Sequence, residues 1–414
     1  MAYKSYRYRL KLNNKTKVKL QNNFGCSRFI FNHFLYEISN RKECEFIPTA
    51  TELNKRLTSL KKEKEFSWLN EVSNMNLQSA VIDLMDSFKR HKTGSGYPNY
   101  KEKDGEQSCR FNNYITNSKN KAETIRVDFK NHKVLLPTLG WLNFFRSNCF
   151  SGKIVEATII KETDGNYYIS ICVNQEIIKF KPVNKEVGLD LGLKSYIVGS
   201  DGTDIKAPKF FRKSKDKLSK KKVGSNRYNK QKSVVAKLHK NVANQREDFL
   251  QKLSTKIINE NQVICLEILK VKNMIKNHKL ALSIADASWG KFVNMLEYKA
   301  NWYGRTILKI DTFEPSSKTC HKCGYINKEL KLEDREWTCV GCGAHHDRDD
   351  NASIIIYCVA KCPDKEEENI KKVKSCKKVA SSGWTHSGCR RTSDSKFNEA
   401  SNHIIPVDIS TGVI

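Results

Sequence analysis

Two Cys-x-x-Cys turns constrain the fold of this chain more tightly than any other feature. Cys320 and Cys323 form the first turn and Cys339 and Cys342 the second, with fifteen residues between them. Each turn is followed at once by a glycine, Gly324 and Gly343, which relaxes a tight backbone. Four thiolates at this spacing can close a tetrahedron around Zn²⁺ and leave no open coordination position. Two disulfides, or four unrelated buried thiols, are the plainer alternatives. The spacing favours a zinc ribbon over residues 316–346.

The segment that follows runs Asp347-Arg348-Asp349-Asp350-Asn351-Ala352-Ser353. Ala352, Ile355, Ile356 and Val359 then recur at i, i+3, i+4 and i+7, which predicts one face of a helix. Asp349 stands at its start, where a carboxylate can cap free N–H groups. Capping accounts for one acid in isolation and accounts for less if other carboxylates reach the same point.

Two such acids lie upstream. Asp190 sits between Leu189 and Leu191 in an apolar strand, and Glu267 interrupts the apolar run from Gln262 to Leu269. A carboxylate in such a strand is costly unless it is paired or bound to metal. From residue 187 onward the pattern reads as three strands, helix, strand, helix, strand, ribbon, helix. In an RNase H-like fold the first and fourth of those strands are neighbours, and the last helix starts beside their ends. Asp190, Glu267 and Asp349 would then converge. Three carboxylates together raise one another's pKa, and two divalent cations relieve that repulsion. Two-metal phosphodiester hydrolysis is the chemistry that such a cluster supports.

The N-terminal half carries no comparable constellation. An alternating strand over residues 3–12 precedes two helical stripes, then a basic, glycine-rich loop from Lys89 to Pro98. Short strands follow from Cys109 to Ile177, including a hairpin turned at Thr163–Asn166. The expectation is a mixed α+β and α/β multidomain chain. A β-barrel over 1–185, with helices inserted at about 15–104, precedes an RNase H-like domain over 186–360. Residues 361–414 lack sustained periodicity and read as a flexible tail. Cys358, Cys362, Cys376 and Cys389 lack zinc spacing and read as ordinary thiols.

Charge points to the partner. The formal net charge is +29, from 74 Lys and Arg against 45 Asp and Glu, with aromatic residues interleaved. Such an excess is the footprint of a polyanion-binding surface, nucleic acid first. It peaks between Lys209 and Arg246, where Asp216 is the only acid. Lys220, Lys221, Lys222, Arg227 and Lys230 are the candidate phosphate contacts there. No apolar run is long enough to span a bilayer, and the charged N-terminus lacks the apolar core of a signal peptide. Fourteen cysteines, four of them in zinc spacing, suit a reducing compartment.

Taken together, the motifs resemble TnpB (OrfB-type) proteins of bacterial insertion sequences, compact relatives of type V CRISPR effectors. The resemblance runs from Tyr3 to about Tyr357. It rests on FGCSRFIFNHFL, GYPNYKEK, GLDLGLKSYIV, KLHKNVANQREDFLQKLS, HKLALSIADASWGKFVNMLEYKANWYGR, SSKTCHKCGYINKEL and DREWTCVGCGAHHDRDDNAS. It implies an RNA-guided, Mg²⁺-dependent DNA endonuclease with a RuvC domain, reading a short motif beside its target. Asp190, Glu267 and Asp349 correspond to the RuvC acids, and the four cysteines to its zinc ribbon. The implied partners are a guide RNA, double-stranded target DNA and a separate transposase of the same element. The implied location is the bacterial cytoplasm, on the nucleoid when bound to DNA. The basic segment takes the place of the arginine-rich bridging helix of larger relatives. Ile268 after Glu267, and Asp350 after Asp349, depart from the family pattern. A nuclease-inactive, guide-directed repressor and a transposase acting by direct strand transfer are the competing functions.

Overall fold

The computed structural model describes residues 2–41, 46–103, 105–115, 122–208, 228–312, 314–331 and 333–361. These fall into two compact units, the first made of Met1–Ile177 together with Asn229–Lys237, the second of Ile178–Tyr228 together with the chain from Leu238 onward.

The first unit opens with β1 (Ala2–Lys11), whose alternate side chains Tyr8 and Leu10 are buried. Three helices follow: α1 (Asn14–Ser39), α2 (Ala50–Leu60) and α3 (Asn74–Lys92), with a 3₁₀ turn before the third. Asn13 caps α1 by accepting from the Thr16 N–H, and Thr49 with Glu52 closes a reciprocal capping box on α2. Six strands complete the unit: β2 (Gln107–Asn112), β3 (Arg126–Asp128), β4 (Lys133–Leu136), β5 (Gly140–Phe144), β6 (Lys153–Lys161) and β7 (Tyr167–Gln175). All pairings are antiparallel, in the order β2-β6-β7-β1-β5-β4-β3.

Two cores result. One draws Tyr8, Phe111, Val134, Leu142, Ile159 and Ile169 from the strands and Leu20 and Phe24 from α1. The other packs Ile30, Phe34 and Leu35, further along α1, against Leu53, Leu57, Leu77, Leu84 and Phe88. The basic loop expected from Lys89 begins later than the sequence suggested. Lys89, Arg90, His91 and Lys92 form the last turn of α3, where cations oppose the negative end of the helix dipole.

The second unit contains β8 (Glu186–Asp190), β9 (Ser195–Gly199), β10 (Asp204–Lys206), α4 (Tyr228–Glu260) from Leu238 onward, and β11 (Val263–Glu267). Next come α5 (Val271–Met274), α6 (His278–Ala287), α7 (Trp289–Tyr303) and β12 (Thr306–Ile310). β13 (Glu336–Thr338), β14 (His345–Asp347) and α8 (Arg348–Lys361) end the described chain. The short helices α5 and α6 were not apparent in the hydrophobic pattern. The main sheet has the order β10-β9-β8-β11-β12, with β8, β11 and β12 parallel and β8, β9 and β10 antiparallel.

Both faces of this sheet are covered. Val187, Leu189, Ile264 and Leu266 pack with Leu250, Ile257, Phe292 and Leu296 of α4 and α7. On the opposite face Cys265 and Ile310 meet Ile356 of α8. Strands buried on both faces need near-continuous apolar runs, which is the composition of QVICLEIL.

Candidate active site and metal centre

The two cysteine turns have the same backbone construction. The Cys320 N–H donates to Tyr325 O at 2.8 Å and the Gly324 N–H to Cys320 O at 2.9 Å. In the second turn the Cys339 N–H donates to Ala344 O, and the Gly343 N–H to Cys339 O, both at 2.8 Å. Both glycines adopt positive φ, +82° at Gly324 and +69° at Gly343, as the sequence implied. Ligand atoms of Cys320, Cys323, Cys339 and Cys342 all lie within 4.8 Å of one another.

The Sγ atoms of Cys320 and Cys342 are 3.7 Å apart, and those of Cys323 and Cys339 are 3.5 Å apart. Those gaps are far beyond a disulfide bond. They approach the roughly 3.8 Å edge of a tetrahedron with Zn–S bonds of about 2.3 Å, so the donor set fits zinc. Leu330 and Trp337 wrap the site, and His346 Nε2 lies 3.0 Å from Cys320 Sγ. Burial, followed by His321 and Lys322, pulls the His346 imidazole down to about 4.

The acids occupy strand and helix ends. Asp190 is the last residue of β8 and Glu267 the last of β11, not positions within a strand. β8 and β11 pair in parallel through Leu189 and Leu266, so the next residue on each is one of the acids. Asp349 arrives from α8, and Gly188 explains how that helix comes so close. A Cβ at Gly188 would stand 2.3 Å from Ser353 O and 2.7 Å from Tyr357 N. Only a residue without a side chain lets α8 lie on β8 at this point.

Asp349 does not cap its helix. Asp347 does so, its Oδ1 accepting from the Asp349 N–H at 2.9 Å and the Asp350 N–H at 3.1 Å. With capping assigned to Asp347, the Asp349 carboxylate is available for other contacts. Arg335, from the segment between the two cysteine turns, meets it, Nη1 donating to Oδ2 at 3.2 Å and to Oδ1 at 3.4 Å.

Electrostatics couple the acids in pairs through Asp190. Burial, then the Asp349 charge, pushes the Asp190 carboxyl up to about 7, against the opposing pull of Arg348 and Arg335. Burial, then Asp190, pushes Glu267 up to about 7. Asp350 is also raised, by burial and then by Asp347, Asp204 and Asp349. Each of the three predicted acids keeps some exposure to solvent. Among the described residues, only the cysteines gather three or more ligand atoms within 4.8 Å, so the acids are less tightly drawn together. Hard carboxylate oxygens sharing an unfavourable charge fit Mg²⁺ better than a softer metal.

Sequence reasoning missed Gly188 and Arg335. The pattern Gly-x-Asp at a strand end was a signal for the first, since residues two apart share a strand face. No pattern signals the second. Lys220, Lys221, Lys222 and Arg227 lie outside the described residues, as does the tail from residue 362. Lys230 lies within α4. Among the described residues no helix is long and apolar enough to cross a membrane.

Three family profiles match the chain. One described as "Probable transposase" (OrfB, IS605 type) covers residues 170–278. A "Cas12f1-like, TNB domain" profile covers 289–356, and a "Helix-turn-helix domain" profile covers 1–45. Among the described residues of that last span, the structure has one strand and one long helix. A Streptomyces pristinaespiralis protein named "Putative RNA-guided DNA endonuclease" is 32% identical over 371 residues, covering 85% of this chain and 88% of its own. InsQ of Escherichia coli (strain K12), of the same description, is 27% identical, covering 81% and 87%. The cryo-EM structure of a Cas12f1–sgRNA–target DNA complex aligns with a TM-score of 0.50 at 14% identity, covering 84% of this chain and 83% of that one. That structural likeness is one of fold. With the Streptomyces relative matched along most of both chains, the chain belongs to the TnpB family, the OrfB proteins of IS605-type elements.

Proposed function

We propose that this chain is a transposon-encoded endonuclease that cuts double-stranded DNA at sites selected by a bound guide RNA. The observation that carries the reading is that Asp190 and Glu267 end adjacent parallel strands, and that Asp190 couples electrostatically both to Glu267 and to Asp349 of the helix packed at Gly188. The names of the Streptomyces and Escherichia relatives support it. The order β10-β9-β8-β11-β12, with α8 over β8, supports an RNase H-like (RuvC) domain over 186–360. In the first unit, one core filled from all parts of the seven-stranded ladder supports a barrel over 1–185 with its helices inserted.

Bound at the acids, Mg²⁺ would supply Lewis-acid stabilisation of charge on the phosphate and an activated water. The chain's own contribution is placement. Asp190 and Glu267 present oxygens from rigid strand ends, and Asp349 completes the set from a helix fixed by close packing. Arg335 sets a guanidinium beside Asp349, where it balances negative charge and can hold a phosphate oxygen in a fixed orientation. The cysteines hold zinc as a structural centre. The basic stretch around Lys220–Lys222 contacts guide-RNA phosphates, and a separate transposase carries out strand transfer.

The test is reconstitution with RNA transcribed from the end of the protein's own element, followed by cleavage of target DNA with and without Mg²⁺. Cleavage is expected to require both the RNA and Mg²⁺. Asp190→Ala is expected to abolish cutting while target binding persists. A complex carrying Asp190→Ala that still cuts would overturn the reading.

A further inference from the structure

Glu186 opens β8 on the same strand face as Gly188 and Asp190. Its carboxylate is held twice by the far end of α8. Oε2 accepts from the Tyr357 hydroxyl at 3.0 Å, and Oε1 pairs with Lys361 Nζ at 2.9 Å. Glu186 therefore faces Tyr357 and Lys361, Gly188 faces Ser353 and Tyr357, and Asp190 feels the charge of Asp349. The strand positions step by two residues, about 6.6 Å each. The helix positions 361, 357, 353 and 349 step by four residues, about 6 Å each. The two repeats nearly match, so fixing one rung sets the next.

We propose that Glu186 is a positioning residue, which sets the rotation and height of α8 and so holds Asp349 against Asp190 for cation binding. The inference rests on the assignment of those acids as cation ligands. Close packing at Gly188 sets how near the helix lies and Asn351 holds its first turn, while the Glu186 contacts add direction at its far end. Gly188 has no side chain, and the apolar cluster of Cys265, Ile310 and Ile356 is non-directional. A carboxylate whose two oxygens are engaged by a hydroxyl and an ammonium restricts the helix more than non-directional apolar contact does. A slip of α8 by one residue would turn Asp349 by about 100° and shift it about 1.5 Å, out of reach of Asp190. Lys361, at the last turn, would favour the helix dipole wherever it pointed. Tyr357 has no such general reason to meet Glu186.

The experiment is a Mg²⁺ titration of the full-length protein with its RNA and without DNA, read as the gain in melting temperature. Glu186→Ala is expected to raise the Mg²⁺ concentration for half-maximal gain about tenfold, the scale seen when a group orienting a metal ligand is removed. Glu186→Gln keeps the acceptor for Tyr357, folds more readily and should shift less. Reversing the pair, Glu186→Lys with Lys361→Glu, should recover much of the wild-type midpoint. Asp190→Ala in the same titration tests the underlying site. If that variant keeps the full gain, the acids are not the cation ligands. If it loses the gain while Glu186→Ala and Glu186→Gln keep the wild-type midpoint, the role given to Glu186 is overturned. A lower melting temperature with an unchanged midpoint overturns it equally, because that is a structural effect alone.

Discussion

Asn351, in the first turn of α8, accepts the backbone N–H of His321 at 3.0 Å, between the two cysteines of the first zinc turn. Its amide also donates to Thr319 O at 2.7 Å, and the residue is 1% exposed. One side chain thus fastens the cysteine turn to the helix that carries Asp349 two residues earlier. The four-cysteine cluster and the helix that carries Asp349 are joined by direct hydrogen bonds as well as by sequence adjacency.

Asn351→Ala should therefore weaken both. It leaves the His321 N–H and the Thr319 carbonyl without this partner, at about 1–3 kcal/mol for each buried group left unsatisfied. Zinc release to a chromogenic chelator should accelerate, and cleavage should fall even in protein that still holds its metal. Equal release rates in the variant and the wild type would show that the latch does not hold the zinc turn.

Replacing Cys320 with Ser removes a fully buried ligand whose neighbours, Leu330 and Trp337, pack on the site. Elemental analysis should return about one zinc per wild-type chain and a deficit in the variant, because such sites couple metal binding to folding. Arg335 and Asn351 would lose their frame, so cleavage should fall with the zinc content. Full cleavage by zinc-free protein would contradict the coupling.

At Gly188 a single methyl group is the probe. Gly188→Ala places a Cβ against the backbone of Ser353 and Tyr357, which cannot move aside as a side-chain tip can. Overpacking of this kind costs about 1–3 kcal/mol, a drop of about 2–4 °C in melting temperature per kcal/mol for a unit of this size. The larger effect is expected on cleavage, since α8 must move away from β8. Wild-type melting and cleavage would mean that the helix does not lie where Gly188 places it.

For the basic stretch, neutralising Lys220, Lys221 and Lys222 together should weaken complex formation about equally for two unrelated guides. Phosphate contacts carry little sequence information. The plot of log affinity against log salt should flatten by about 0.7–0.9 for each phosphate no longer neutralised. Cleavage at saturating complex should persist, because Asp190, Glu267 and Asp349 are untouched. An unchanged slope would leave these lysines as a solvated surface.

Much of the site was legible in the chain because it is written in local patterns. The Cys-x-x-Cys turns with their glycines, the apolar strands carrying an acid and the 3.6-residue stripe after Asp349 are each set by neighbours within a few positions, although the acids prove to end their strands. The adjacency of β8 and β11 was an expectation of the RNase H-like reading, and the two strands pair in parallel. Where local reasoning failed, two residues offered the same chemistry and distance in space made the choice. Asp347 and Asp349 could each cap the helix, and only the path of β14 into α8 gives the cap to Asp347. Likewise the last turn of α3 absorbed residues whose basic character read as loop.

By itself the sequence determined which residues offer metal-ligating chemistry, which strands would be buried and the order of the main elements, though not the short helices α5 and α6. Those properties depend on side-chain chemistry and on the short-range period of the backbone. The tertiary structure alone decided that Arg335 faces Asp349, that Asn351 holds the turn at His321, and that Glu186, Gly188 and Asp190 meet α8 rung by rung. Each is a contact between segments far apart along the chain or on different elements. Such contacts are fixed by how a helix packs on a sheet, and no local pattern records that packing.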